Sequence, residues 1–496
     1  MSSVSAVIMA AGQGTRMKSA IPKVLHPVAG KPMVWYMSAL ARRIADSAVA
    51  IVVGHGAEQV RDYLHQEEAT LAPFFVVEQT QQLGTGHAVQ QAQSVVLSDK
   101  EPVADHCLIL NGDTPLLTEA TVRALLDYHD SSQATVTILT TILEHPQGYG
   151  RVVRGAESQV LNIVEDRDAS ESEKSIQEVN VGTYIVNTNF LFESLETLKP
   201  QNVQGEYYLT DIIGMAVSQK LRVSALVTTD TNETIGINNR EHLALAEQEM
   251  RKRVCRIWMQ NGVTLLDPNR TSIDADVVIG RDSVLYPDVR LEGRTTIGED
   301  CVVRSHTRIT NSILGDRVQV LECCVFNEAE IDQEVNIGPF AHLRPGVKIR
   351  ARAKVGNFVE LKQAELGEGS KANHLSYLGN TIIGRNVNIG AGTITCNYDG
   401  YRKAQTVIED EVFIGSDTQL IAPIRVGRGA IIAAGTTLTQ DVPPEALGIS
   451  RPVQLNKEGA AKRKRDSRNR RSSDSTSNVS GQNNQAEDSS FHKDEL

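Results

Sequence analysis

The sequence predicts two folds in one chain: an α/β domain with a mostly parallel sheet, then a parallel β-helix, joined by one long helix. Three observations predict this. Short apolar runs alternate with helical patterns over residues 5–230. One amphipathic stretch, NREHLALAEQEMRKRVCRIWMQ, runs from Asn239 to about Gln260. From about Thr271 to Thr439, an aliphatic residue followed by glycine recurs, with several of the spacings 6, 12 or 18 residues.

In the first part the strand candidates are SAVIMA (5–10), VAIVVG (49–54), FFVVEQ (74–79), CLILNGD (107–113) and ATVTILT (134–140). Helical text such as KPMVWYMSALARRIA (31–45) separates them, which is the pattern of a parallel sheet covered by helices on both faces. Glycine-rich or acidic segments follow several strands, where open α/β sheets bind ligands. The stretch 239–260 reads as a rigid helical connector. In the third part the pairs include Ile279-Gly280, Ile297-Gly298, Ile337-Gly338, Ile383-Gly384, Ile389-Gly390 and Ile414-Gly415. A six-residue period with an inward aliphatic and a small corner residue is the signature of hexapeptide coils, three hexads to a turn. About 170 residues then give roughly nine or ten coils, each burying its aliphatics only against its neighbours. This accounts for the 37 glycines and the low aromatic content of 4%.

The bulk numbers narrow the classes. A chain of 496 residues exceeds one ordinary core. The net charge of -11 argues against general nucleic-acid binding. Six scattered cysteines without a CxxC pair fit a reducing compartment and offer no zinc framework. The N-terminus lacks the pattern of a signal peptide, and no apolar run approaches the ~18 residues of a membrane span. A cytoplasmic protein without membrane or nucleic-acid partners is therefore expected. After Leu455 the text turns basic (KEGAAKRKRDSRNRR, 457–471) and then Ser/Asn/Gln-rich, which predicts disorder over 456–496. The terminal HKDEL matches a retention signal, but without a leader peptide it is expected to be coincidental.

The chemistry starts at AAGQGTRMKSAIPKVLH (10–26), directly after the first strand. Gly12 and Gly14 let backbone N–H groups approach a phosphate, and Arg16 and Lys23 add cationic donors. The dinucleotide fingerprint GxGxxG is not completed, because Met17 stands where its last glycine belongs. Further islands are QLGTGHA (82–88), NGDTPLL (111–117), GYGR (148–151), IVEDRDA (163–169), QEVNVGTY (177–184), EYYLTD (206–211) and GINNR (236–240). In the repeat region LRPG (343–346), GNFVELK (356–362), KANHLSYLG (371–379) and NVNIGAGTITCNYDG (386–400) stand out. CNYDGYRKAQT (396–406) breaks the hexad period, as a functional loop leaving a rigid solenoid does.

G-x-G-T-R-M followed by P-K resembles the sugar-nucleotidyltransferase signature. Together, the islands resemble the bacterial bifunctional N-acetylglucosamine-1-phosphate uridyltransferase/glucosamine-1-phosphate acetyltransferases, over residues 4 to 455. The resemblance implies a Rossmann-like α/β nucleotidyltransferase domain (1–238), a helical linker (239–260) and a left-handed parallel β-helix of hexapeptide repeats with acetyltransferase activity (261–455), assembled as a homotrimer. It implies synthesis of UDP-N-acetylglucosamine for cell-wall precursors from UTP, acetyl-CoA and glucosamine-1-phosphate. Position by position, Met9, Ala10, Ala11, Gly12 and Lys23 would hold the uridine nucleotide, with Gln79, Gly84 and Thr85 around uracil and ribose. Gly150, Glu165 and Asn180 would hold the amino sugar, Asp113 and Asn238 would bind Mg²⁺, and Arg16 and Lys23 would act on the phosphates. In the second half His374 would be the general base, a role suited to histidine near neutral pH. Arg344 and Lys362 would bind the sugar phosphate, and Tyr377 and Asn388 the sugar. Ala391, Asn397, Tyr398, Ser416, Ala434 and Arg451 would contact acetyl-CoA. Two rivals keep less: a pyrophosphorylase whose β-helix serves assembly, and a non-catalytic exchange-factor scaffold. The first predicts no base at 374 and no loop, the second no phosphate cradle.

Overall fold

The computed structural model describes residues 2–98 and 103–476. The first 230 residues build a nine-stranded sheet. Its main path runs Val223–Thr228, Val136–Ile142, Glu178–Asn187, His106–Asn111, Val4–Ala10, Val49–Val53, Phe75–Glu78. Glu178–Asn187 is antiparallel to both neighbours, whereas the other pairings on this path are parallel. A hairpin, Arg151–Arg154 and Val160–Val164, hangs from that antiparallel strand.

The central strand is apolar on both faces because both faces are covered. Ala6, Ile8 and Ala10 join the core under helix Met33–Ile44, while Val7 and Ala11 join the core under Thr188–Thr197 and Asp211–Ser218. Parallel strands must return across a face, so their C-terminal ends share one edge. The loops after Val4–Ala10 and His106–Asn111 leave from that edge.

The connector is a helix over Arg240–Gln260, with Asn239 as its cap: the Asn239 side-chain oxygen accepts from the His242 N–H at 2.8 Å. Ala246, Met250 and Val254, four residues apart, face inward and pack with the first coils and with Val28 and Met33. Near its start Arg240 donates to the Met17 carbonyl at 3.2 Å, tying the helix to the glycine-rich loop.

The remaining chain winds into a parallel β-helix with three faces. One face is an eleven-stranded stack from Thr264–Leu265 to Leu447–Gly448, and the other two are joined in a seventeen-stranded sheet. Equivalent residues are 17 or 18 apart, as Ala329 to Ser312 and Cys301 to Ser283 show. One turn is longer: the Arg385 N–H reaches Asp410 across 25 residues, because 397–405 loop out. The stack extends beyond the 271–439 region where the glycine pairs are dense, since the end coils need only one packed side. Corners take the left-handed conformation even at large residues, including Phe340, Phe358 and Leu375. Stacking of Phe340 on Phe358, with centroids 5.1 Å apart, offsets part of that backbone cost.

One expectation is corrected. Residues 460–476, expected to be disordered, form a helix, Ala460–Thr476. Alanine, lysine and arginine are strong helix formers, and the segment needs no core for that local preference to act. Its side chains through Arg470 are exposed apart from a half-buried Ala460. Residues 477–496, with the HKDEL end, lie outside the described residues.

Candidate active sites

The first site sits at the C-terminal edge of the central strands, as two cavities that meet. One, of about 440 Å³, is lined by Met9, Ala10, Ala11, Gly12, Lys23, Gln79, Gly84, Thr85 and Asp113. The other, of about 310 Å³, is lined by Arg16, Gly150, Glu165, Asn180 and Asn238, and shares Met9, Thr85 and Asp113 with the first. The residues assigned to the nucleotide thus line one half, those assigned to the sugar line the other, and Asp113 stands at the junction.

Each half has a structural cause. A side chain on Gly12 would meet nothing, so its backbone borders open space. Gly84 has φ +113, and a Cβ there would lie 2.6 Å from the Tyr207 carbonyl, so only glycine lets this loop pass so close. The Gln79 amide donates to the Gly84 carbonyl at 3.1 Å, and the Leu209 N–H donates to the Thr85 hydroxyl at 3.0 Å. In the other half Thr210 donates to Glu165 at 3.2 Å, and burial pushes the Glu165 carboxyl above its usual range, opposed by that hydrogen bond. The Asn180 amide donates to the buried Tyr184 hydroxyl at 2.6 Å.

At the junction Lys23 forms an ion pair with Asp113 and donates to the Asn238 side-chain oxygen at 2.9 Å. Arg16 donates to the same oxygen at 3.0 Å. A carboxylate and an amide oxygen thus converge on the Lys23 ammonium. Two hard oxygen donors, leaving other positions to phosphates and water, fit Mg²⁺.

The second site lies on the β-helix. His374 occupies a corner, and its Nδ1 is 2.9 Å from the Asn357 side-chain oxygen one coil earlier. That oxygen can only accept, so Nδ1 donates the hydrogen bond and Nε2 is the ring nitrogen left without it. Down the same corner stand Ala391, Ser416 and Ala434. Backbone bonds step along it: Leu375 N–H to Asn357, Gly392 to Leu375, Asp417 to Ala391, Gly435 to Ser416. Arg451 lies against Gly435 at the foot.

The face after this corner carries the cations. Arg344 pairs with Glu360 at 2.9 Å, Glu360 is in register with Tyr377, and Lys362 with Gly379. The Tyr377 hydroxyl and the Asn397 amide both close over Gly379. Lys403, from the looped-out segment, lies against Lys362 and holds its ammonium below its usual range, with Arg344 adding to the effect. Asn388 sits on the preceding face, in register with Lys371, and among the described residues no hydrogen bond joins its side chain to this cluster. Tyr398 is bridged to Lys403 across the loop, and its hydroxyl donates to the Gly400 carbonyl at 2.6 Å.

Residue-by-residue reading of the sequence passed over Asn357, Lys403, Asn111, Glu206 and Thr210. All five lie inside islands singled out there, but their contacts depend on the folded chain.

The nucleotidyl transferase family model matches residues 5–260. The bacterial transferase hexapeptide model (six repeats) matches residues 276–311 and 405–440. The chain is 48% identical, over 93% of its length, to the bifunctional protein GlmU of Trichlorobacter lovleyi, of which it covers 99%. It is 47% identical over 93% to that of Shouchella clausii, covering all of it, and 49% over 91% to that of Geobacillus sp., covering 96%. Fold and sites define a nucleotidyl transferase fused to a left-handed hexapeptide β-helix. The chain belongs to the family of bifunctional GlmU proteins.

Proposed function

We propose that the chain makes UDP-N-acetylglucosamine in two steps, acetyl transfer at the His374 corner and uridylyl transfer at the Lys23–Asp113 junction. The observation that carries the reading is the meeting of two cavities at Asp113, which fits a nucleotide on one side and a sugar phosphate on the other. The working division is residues 1–238 for uridylyl transfer, 239–260 as linker and 261–455 for acetyl transfer.

In the first step glucosamine-1-phosphate would lie with its phosphate between Arg344, Lys362 and Lys403. The amine nitrogen attacks the thioester carbonyl of acetyl-CoA, His374 Nε2 takes one amine proton, the C–S bond breaks, and the leaving thiolate receives that proton to become the thiol. Asn357 holds the imidazole turned outward. In the second step a phosphate oxygen of N-acetylglucosamine-1-phosphate attacks the α-phosphorus of UTP in line, and pyrophosphate leaves. Such transfer needs positioning and charge neutralisation rather than a protein nucleophile. Lys23 and Arg16 supply cationic charge and Gly12 backbone access, while Gly150, Glu165 and Asn180 orient the sugar. Asp113 and Asn238 would hold Mg²⁺, which supplies further neutralisation of the phosphates when bound.

The described helices include none long and apolar enough to cross a membrane, and a cytoplasmic homotrimer is proposed. The exposed column of Phe340, Phe358 and Leu375 beside His374 supports association through the β-helix. Sedimentation of the full chain tests it, and a monomer at micromolar concentration would refute it.

Thiol release and UDP-N-acetylglucosamine are followed together with Mg²⁺, UTP, acetyl-CoA and glucosamine-1-phosphate. His374→Ala is expected to stop thiol release while still converting added N-acetylglucosamine-1-phosphate. If the wild type releases no thiol, the β-helix is an assembly module and the reading fails.

A further inference from the structure

A third cavity, of about 390 Å³, lies between the linker helix and the first coils. None of its lining residues belongs to either site. Four cations line it, Arg251 and Lys252 from the helix and Arg270 and Arg290 from the coils, against one carboxylate, Asp288. The carboxylates that pair with the helix cations, Glu247 and Glu249, lie outside the lining. Asp288 is itself engaged by Arg270 and lies 3.6 Å from His306. The Arg290 side chain has no hydrogen-bond or ion-pair partner among the described residues, although Arg290 stands in register between Ser272 and Arg308.

Two details add to the charge of this lining. Ser272 borders the cavity, and its hydroxyl is open to it with no protein partner among the described residues. Such a hydroxyl is free to donate to a ligand in the cavity. The loop carrying Arg270 is also fixed in place. Thr271 donates to the Asp267 carbonyl at 2.8 Å, the Asn269 N–H donates to the Asp267 carboxylate at 3.1 Å, and the Asp288 N–H donates to the Arg270 carbonyl at 2.8 Å. In a chain whose net charge is -11, a lining with four cationic residues and one carboxylate runs against the overall balance.

We propose that this cleft is a binding site for an oligophosphate, separate from the catalytic centres. Arg290 and Arg270 would grip terminal phosphate oxygens from the coil side, Arg251 and Lys252 from the helix side, and the Ser272 hydroxyl would donate to an oxygen between them. Guanidinium groups suit this, because their fork matches phosphate geometry. Two sources share the chemistry: inorganic pyrophosphate, and the phosphate chain of a uridine nucleotide. A bound ligand would bridge the helix and the first coils.

The test is calorimetric titration of the full chain with pyrophosphate, in the wild type and in Arg290→Gln. Arg290 is exposed and unpartnered, so its loss leaves the fold intact, and unchanged uridylyl transfer checks that. Two classes of pyrophosphate site per chain are expected in the wild type. Arg290→Gln should weaken one class by about tenfold, one phosphate contact's worth, and leave the other unchanged. Hydrogen exchange should show pyrophosphate-dependent protection around Arg270–Ser272, lost in the variant. Repeating the titration in saturating UTP separates the sources: retention of the second class marks inorganic pyrophosphate as the ligand, and its disappearance marks the nucleotide. A single class of site in the wild type, or two classes both indifferent to Arg290→Gln, overturns the proposal.

Discussion

Asn357 and His374 stand one coil apart on the same corner of the β-helix, and the Asn357 side-chain oxygen accepts a hydrogen bond from His374 Nδ1 at 2.9 Å. This fixes the tautomer and aims Nε2 away from the coil. Asn357→Ala should therefore lower kcat for acetyl transfer by about tenfold, less than the roughly hundredfold or more that loss of a general base itself costs, and leave uridylyl transfer unchanged. Asn357→Asp should restore part of the rate, since a carboxylate accepts the same proton. Unchanged thiol release in Asn357→Ala would rule out the orienting role.

Lys362 and Lys403 are held against each other, one from a coil and one from the excursion of the long turn. Two ammonium groups that close repel unless an anion lies between them. Lys403→Ala should raise KM for glucosamine-1-phosphate about tenfold and leave KM for acetyl-CoA where it was. If both constants move together, the loop holds the cofactor rather than the phosphate.

Asp113 is paired with Lys23 at the meeting of the two cavities. Asp113→Asn should cut uridylyl transfer by about a hundredfold or more, as loss of a key electrostatic group does. Acetyl transfer should persist. Chelation of divalent ions should produce the same split in the wild type, and equal sensitivity of both activities would contradict the assignment.

Gly356 passes so close to the Asn373 carbonyl that an added Cβ would lie 1.8 Å from it. Gly356→Ala must push apart the coil that carries His374. An overpacking cost of about 2 kcal/mol is expected, with acetyl transfer lost and uridylyl transfer retained. Thermal unfolding alongside both assays checks this; a variant with wild-type stability and acetyl transfer would show that the coil can yield.

His129 is 1% exposed, its ring 4.5 Å from His106, and burial first, then the neighbouring His106, depress its pKa to about 4. The unfolded chain binds a proton near pH 6.5 that the folded one refuses until about pH 4. Stability from this group is therefore complete above pH 6.5 and drains away as pH falls toward 4, at up to about 1.4 kcal/mol per unit. Between those limits the urea midpoint of His129→Gln should fall less steeply with pH than that of the wild type. Parallel slopes would place the acid sensitivity elsewhere.

Much of this was legible in the sequence because it rests on short-range rules. A six-residue period produces a β-helix whatever lies beside it, and a glycine-rich turn after an apolar strand places a cradle at a sheet edge. What escaped depends on distant residues meeting. Lys403 reaches Lys362 only because the chain leaves the coil and comes back, and spacing cannot foretell where it returns. Ala391 and Ser416 are neighbours on one corner although the loop between them hides the repeat interval. The helix at Ala460–Thr476 was missed for a different reason: the absence of apolar residues argued against a core, and local helix preference does not require one.

The corner that runs from His374 through Ala391 and Ser416 to Ala434 is also a ruler. Each coil adds one strand spacing of about 4.8 Å, so three steps below the histidine span about 15 Å. An elongated ligand laid along that edge is measured in whole coils. Inserting or deleting a coil would keep every inward aliphatic in register while changing the length of the edge by one fixed graduation. Reach toward a longer or shorter ligand can thus change in discrete steps, without redesigning the core.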